Sequence, residues 1–166
     1  MGCDIHTITE IKTPQGWQRA SPDPGVFLSR VYRWFAFLAD VRNSFGIPCP
    51  FEGGCRGWPV DHSGAADSLR ENYEYNGYGA SFVTLQELLD FDYNQTFENL
   101  ENTKDQFKKG MPFGEYYALK NALLDEGLGN VETFRDFLRP EFFENIEILK
   151  GIGQPDCVRV LMLFED

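Results

Sequence analysis

The chain reads as an α+β protein in which a small central β-sheet, containing an N-terminal hairpin and the C-terminal strand, packs against several helices. Three observations predict this. Cys3 to Lys12 alternate in character and run into a turn, Val158 to Phe164 are almost wholly apolar, and the segments between them carry apolar residues at helical spacing. At 166 residues the chain can bury one sizeable core but not two, so residues 1–166 are expected to form a single domain.

Along the first strand Cys3, Ile5, Thr7, Thr9 and Ile11 share one face, with Asp4, His6, Ile8 and Glu10 on the other. Thr13-Pro14-Gln15-Gly16 supplies a tight turn, and Trp17 to Ala20 return as the second arm until Pro22 and Pro24 end the pairing. From about Leu28 to Asn43 the apolar positions Val31, Trp34, Phe35, Phe37, Leu38 and Val41 predict a buried amphipathic helix. Phe45 to Gly64, rich in Gly and Pro, is longer than an ordinary connection and is expected to be a functional loop.

Asn76 to Ser81 reads as a tight connection before Thr84-Leu85-Gln86-Glu87, a capping box that starts a short helix ending near Phe91. Asp92 to Gly110 shows little periodicity and reads as a mobile insertion or a weak helix. Pro112 to Glu126, Val131 to Leu138 and Pro140 to Lys150 read as three further helices, the last with proline in its first position. The apolar tail from Val158 needs both faces covered, which places it beside the first strand in the middle of the sheet.

The net charge is −11, from 26 acidic and 15 basic side chains. A field of that sign repels phosphate backbones and anionic lipid, so direct nucleic-acid or membrane binding is not expected. No apolar run is long enough to span a membrane. With no leading apolar segment for export, the four cysteines are expected to be reduced thiols in a cytoplasmic protein, and no CxxC suggests a zinc site.

Asp4-x-His6 projects a carboxylate and an imidazole from one side of a strand, where they can converge on an ion or a substrate group. Asp61-His62 carries the only other imidazole, and together Asp4, His6, Asp61 and His62 would suit zinc or manganese. Gly53-Gly54-Cys55-Arg56-Gly57 brings backbone amides and a guanidinium toward an anion but lacks the ending of a P-loop. Its structural alternative is a turn cluster in which Arg56 ties the loop to an acidic side chain. Arg42 closes the aromatic helix just before the loop, and Trp58 and Tyr78 offer stacking surfaces near it.

The opening Met-Gly-Cys-Asp-Ile-His, followed by Glu10, resembles an uncharacterised family of bacteriophage and prophage proteins. The likeness extends through Phe37 to Asn43, Arg56 to Asp61, Ser81 to Leu89 and Asp156 to Val160. In that family the segment matching Tyr78 to Phe82 often carries His-Ser-His-Ser-Trp, which with Asp4 and His6 implies a metal or catalytic cluster. Here Tyr78 and Ala80 stand at the imidazole positions. The resemblance implies a phage origin and an accessory role and brings no established activity with it; an accessory role against host defence, in the cytoplasm of a bacterial cell, is the expectation adopted.

Three functions follow as expectations. The first is a protein that binds a small anionic or nucleotide-like ligand between the first strand and the 45–64 loop, using Asp4, His6, Arg42, Arg56, Trp58 and Tyr78. The second is a metal-dependent phosphoesterase or related hydrolase built on Asp4, His6, Asp61 and His62. The third is an acidic inhibitor that docks on a host nuclease or DNA-binding defence protein. Self-association into a homo-oligomer is compatible with each.

Overall fold

β1 (Asp4–Thr13) and β6 (Val158–Glu165) form the antiparallel centre of the fold, with His6 opposite Leu163 and Glu10 opposite Arg159. β2 (Gly16–Arg19) folds back on β1, and β3 (Gly77–Thr84) pairs antiparallel with β6, so the four strands lie in the order β2-β1-β6-β3. The apolar tail thus occupies an interior position, as its composition requires. The computed structural model describes residues 2–73 and 76–166.

The two sheet faces are covered differently. Cys3, Ile5, Val83, Val160, Met162 and Phe164 belong to an aromatic-rich core shared with α1 (Tyr32–Ala39), α3 (Leu85–Asp90), α5 (Phe134–Leu138) and α6 (Pro140–Lys150). Phe37 lies within 6 Å of the rings of Phe51, Phe91, Tyr93, Phe134 and Phe142. Each fully buried Phe contributes about 1.5–3 kcal/mol from area alone, which makes this cluster the main source of stability. On the opposite face Leu161 and Leu163 pack with Trp58 and with Ala66 of α2 (Gly64–Asn72).

The predicted helix from Leu28 to Asn43 is shorter than its apolar period suggests. Arg30 reaches back to chelate Asp4 at 2.7 Å on both nitrogens, which holds the lead-in off the helix, and Asp40 turns left-handed at φ 55°, which ends it at Ala39. Trp34 to Ala39 are all buried, so this helix has no solvent face of its own. The Thr84 capping box forms as read: Glu87 N–H donates to Thr84 Oγ1 at 3.1 Å, and Thr84 N–H donates to Glu87 Oε2 at 2.8 Å.

Three segments differ from the sequence reading. Asn76 to Ser81 is mostly strand. The Asp92–Gly110 piece contains β4 (Thr96–Asn99) and a short 3-10 helix, Leu100–Gln106. Val131 to Leu138 is split into β5 (Asn130–Thr133), which pairs with β4, and the short α5. α4 (Phe113–Asp125) spans the expected range. No helix among the described residues is long and apolar enough to cross a membrane.

Candidate functional site

Alternation on β1 separates its two faces as predicted: Cys3 is wholly buried in the aromatic core, while His6 points the other way. His6 stacks on Tyr73 with ring centroids 4.0 Å apart, and its Nε2 lies 3.1 Å from Glu165 Oε2. It lines a small hollow of about 200 Å³ with Arg19, Ser68 and Asn72, away from Arg42 and Arg56. Asp4 is occupied by Arg30.

Two ion pairs, one buried and one half-buried, fix the long loop. Glu10 is fully buried; its Oε2 accepts from Arg159 Nε at 2.7 Å and its Oε1 accepts from Ser63 N–H at 2.7 Å. Arg159 also donates to the side chain and carbonyl of Asp61 and stacks over Trp17 at 3.9 Å, and its bond to Asp61 draws that carboxyl below the usual range. Farther up the loop, Arg56 donates to both carboxylate oxygens of Glu87 at 2.7 Å and to the Phe82 carbonyl, and lies 3.9 Å over the Phe82 ring. Arg56 therefore works as a tie between loop and sheet, the structural alternative named above.

Trp58 is buried as well. Its indole N–H donates to the Met162 carbonyl at 2.9 Å, beside the break in the β3–β6 register between Tyr78 and Ser81, and its ring packs on the sheet. Asp4, His6, Asp61 and His62 are not brought together. They face Arg30, Glu165, Arg159 and Asp67 respectively, and among the described residues no three His, Cys, Asp or Glu side chains cluster as a metal ion needs.

Of the six sequence-predicted binding residues, Arg42 and Tyr78 do meet. They line an open hollow of about 450 Å³ with Asp40, Val41, Cys55 and Asp166. Two glycines allow the walls to come this close. Gly54, at φ 97°, sits where a side chain would strike Asp40 Cβ at 2.7 Å; Gly79, at φ 64°, lies against Val41, Phe164 and Cys55. Ser81 Oγ donates to the Gly54 carbonyl and Gly57 N–H donates to the Ala80 carbonyl, which lays the loop along the outer edge of β3.

Inside the hollow Arg42 and Tyr78 converge on one carboxylate. Arg42 Nη2 donates to Asp166 Oδ1, and Tyr78 Oη donates to the same oxygen at 3.1 Å while lying 3.0 Å from Cys3 Sγ. The guanidinium holds the Asp166 carboxyl below its usual range, and Asp166 in turn raises Arg42. Burial, then the Cys3 and Asp166 contacts, push the Tyr78 phenol up. Burial and Asp40 push the Cys55 thiol up to about 11. The phenol and the thiol are thus held protonated at neutral pH, while the Asp166 carboxylate is held ionised.

A second hollow of about 440 Å³ adjoins it, sharing Asp40 and Arg42 and lined by Tyr32, Asn43, Phe113, Tyr116, Tyr117 and Lys120 among others. Tyr116 Oη donates to the Asn43 carbonyl at 3.2 Å and fastens α4 to the turn that carries Arg42. The sequence marks Phe113 and Tyr117 only as members of an expected helix; their exposure beside Arg42 and Lys120, which only the fold sets, is what singles them out. Compared with protein-family models, curated proteins and solved structures, the chain matches none.

Proposed function

We propose that the chain binds a small anionic, nucleotide-like ligand whose charged group seats against Arg42 and Tyr78. One observation carries this reading: a guanidinium and a phenol already converge on a single carboxylate oxygen in an open hollow of a size that suits small ligands. The Asp166 side chain stands in for the ligand's carboxylate or phosphate, which would take its place on Arg42. The cleft differs from the sequence expectation: Asp4, His6, Arg56 and Trp58 are engaged elsewhere, and its walls come from the segment after α1, Cys55 of the long loop, Tyr78 of β3 and Asp166 rather than from β1.

The hydrolase reading loses its motive, since its four residues point to four different partners. The resemblance to phage proteins supplies a setting: an accessory protein that sequesters a nucleotide signal made by the host cell. Isothermal titration with a panel of cyclic and linear nucleotides tests the reading. At least one should bind with micromolar affinity or better, and Arg42→Ala should weaken it about tenfold, the scale of one charged hydrogen bond. Failure of every member to bind would end this proposal.

A further inference from the structure

Resting on that reading, we infer that the ligand also carries a flat heteroaromatic ring, and that this ring stacks on Phe113 and Tyr117 of α4 while Lys120 and Arg42 flank its charged portion. Phe113 is 77% exposed and Tyr117 is 40% exposed. They sit four residues apart on one helix face, with ring centroids 4.5 Å apart. Single exposed apolar residues are ordinary, but these two rings line the same hollow as two cations in a protein of net charge −11.

Lys120 Nζ lies 5.7 Å from the Tyr117 centroid, so the rings already attract positive charge at their edge of the hollow. Tyr116 closes the inner wall at 80° to Tyr117, with its hydroxyl spent on the Asn43 carbonyl. The shared lining by Asp40 and Arg42 makes one groove of the two hollows: an anion-holding end at Tyr78 and an aromatic end at Phe113. A sugar phosphate alone would fill only the first, whereas a mononucleotide spans both. Base–aromatic stacking is worth about 1–3 kcal/mol per base, or roughly a five- to hundredfold gain in affinity.

Titration of the full chain with adenosine monophosphate and with ribose phosphate separates the two claims. The nucleotide should bind at least tenfold more tightly; Phe113→Ala combined with Tyr117→Ala should erase that ratio without changing ribose phosphate binding, and Arg42→Ala should weaken both probes. Both stacking residues are exposed at the surface, and an unchanged thermal midpoint of the double variant verifies its fold. Equal binding of the two probes, or a ratio that survives the double variant, overturns the stacking inference and leaves the Arg42 site standing. Absence of binding by both probes overturns the stacking inference, and the Arg42 site falls with it only if every other nucleotide of the panel fails as well.

Discussion

Arg159 and Glu10 face each other across the central β1–β6 pair, and Arg159 Nε donates to Glu10 Oε2 at 2.7 Å with the Glu10 side chain wholly shielded from solvent. Glu10 also takes the Ser63 amide, so one carboxylate holds the sheet and the end of the long loop together. Removing it alone leaves Arg159 Nε unpaired in the interior, with only Asp61 at the surface end of the guanidinium to balance it. Glu10→Ala should therefore lower unfolding stability by about 3–5 kcal/mol in urea, whereas Glu10→Leu with Arg159→Met should recover much of that loss. A single-variant loss below about 1 kcal/mol would show that the pair does not bind the loop to the sheet.

The Arg56–Glu87 pair makes acid stability depend on pH in a defined direction. Burial raises the Glu87 carboxyl, but bonds from Arg56 and Thr84 outweigh it and hold the group below its ordinary value of 4.5. A depressed folded-state pKa contributes stability that is complete above the unfolded value and fades as pH falls through the folded one. Urea midpoints taken from about pH 6 to pH 3 should fall less steeply in Glu87→Gln than in the parent. Parallel curves would remove Glu87 from the acid transition.

Cys55 should be a slow thiol despite its exposed residue surface. Its sulfur donates to the Ala39 carbonyl at 3.1 Å, and burial together with Asp40 lifts its pKa to about 11, against an ordinary 9.0. Two units less acidic means roughly a hundredfold less thiolate at neutral pH. Alkylation followed by peptide mass mapping should leave Cys55 largely unmodified under conditions that label a free cysteine peptide. Rapid labelling at neutral pH would contradict the inward-facing sulfur.

Asp166 occupies the position on Arg42 that an anionic ligand requires. Asp166→Asn removes the competing charge and should raise nucleotide affinity about three- to tenfold, with the largest gain at low salt where charges are least screened. Tyr78→Phe, which loses one hydroxyl donor to the anion, should lower it by a similar factor. Unchanged or weakened binding by Asp166→Asn would mean that ligand and carboxylate do not share Arg42.

How far the sequence was legible depended on whether local chemistry matched the final contacts. β1, β6, the Thr84 capping box and the proline start of α6 are written in alternation, apolarity and hydrogen-bonding side chains that act over a few residues. The first part of β3 reads as a connection because Gly77-Tyr78-Gly79-Ala80 has little strand propensity; pairing with the buried β6 imposes the strand, and the irregularity after Tyr78 absorbs Gly79. α2 drew no expectation, since only Ala66 of its residues is fully buried. At the site, the segments expected to line a cleft already group Arg42 with Tyr78, but with Tyr78 as a stacking surface, whereas its hydroxyl donates to Asp166. The roles of Glu10, Glu87 and Asp166 were not, because their partners lie 149, 31 and 124 residues away.

The most direct test of the Arg42 site is the backbone amide NMR spectrum of the full chain titrated with each nucleotide of the panel in turn. Binding at the proposed groove should move the resonances of Asp40 to Ser44, Tyr78 and Phe113 to Lys120 together, with one saturating dissociation constant, and leave those of His6, Trp58 and Ala65 to Asn72 in place. Shifts centred on His6 and α2, or no saturable shifts at all, would contradict a ligand site at Arg42.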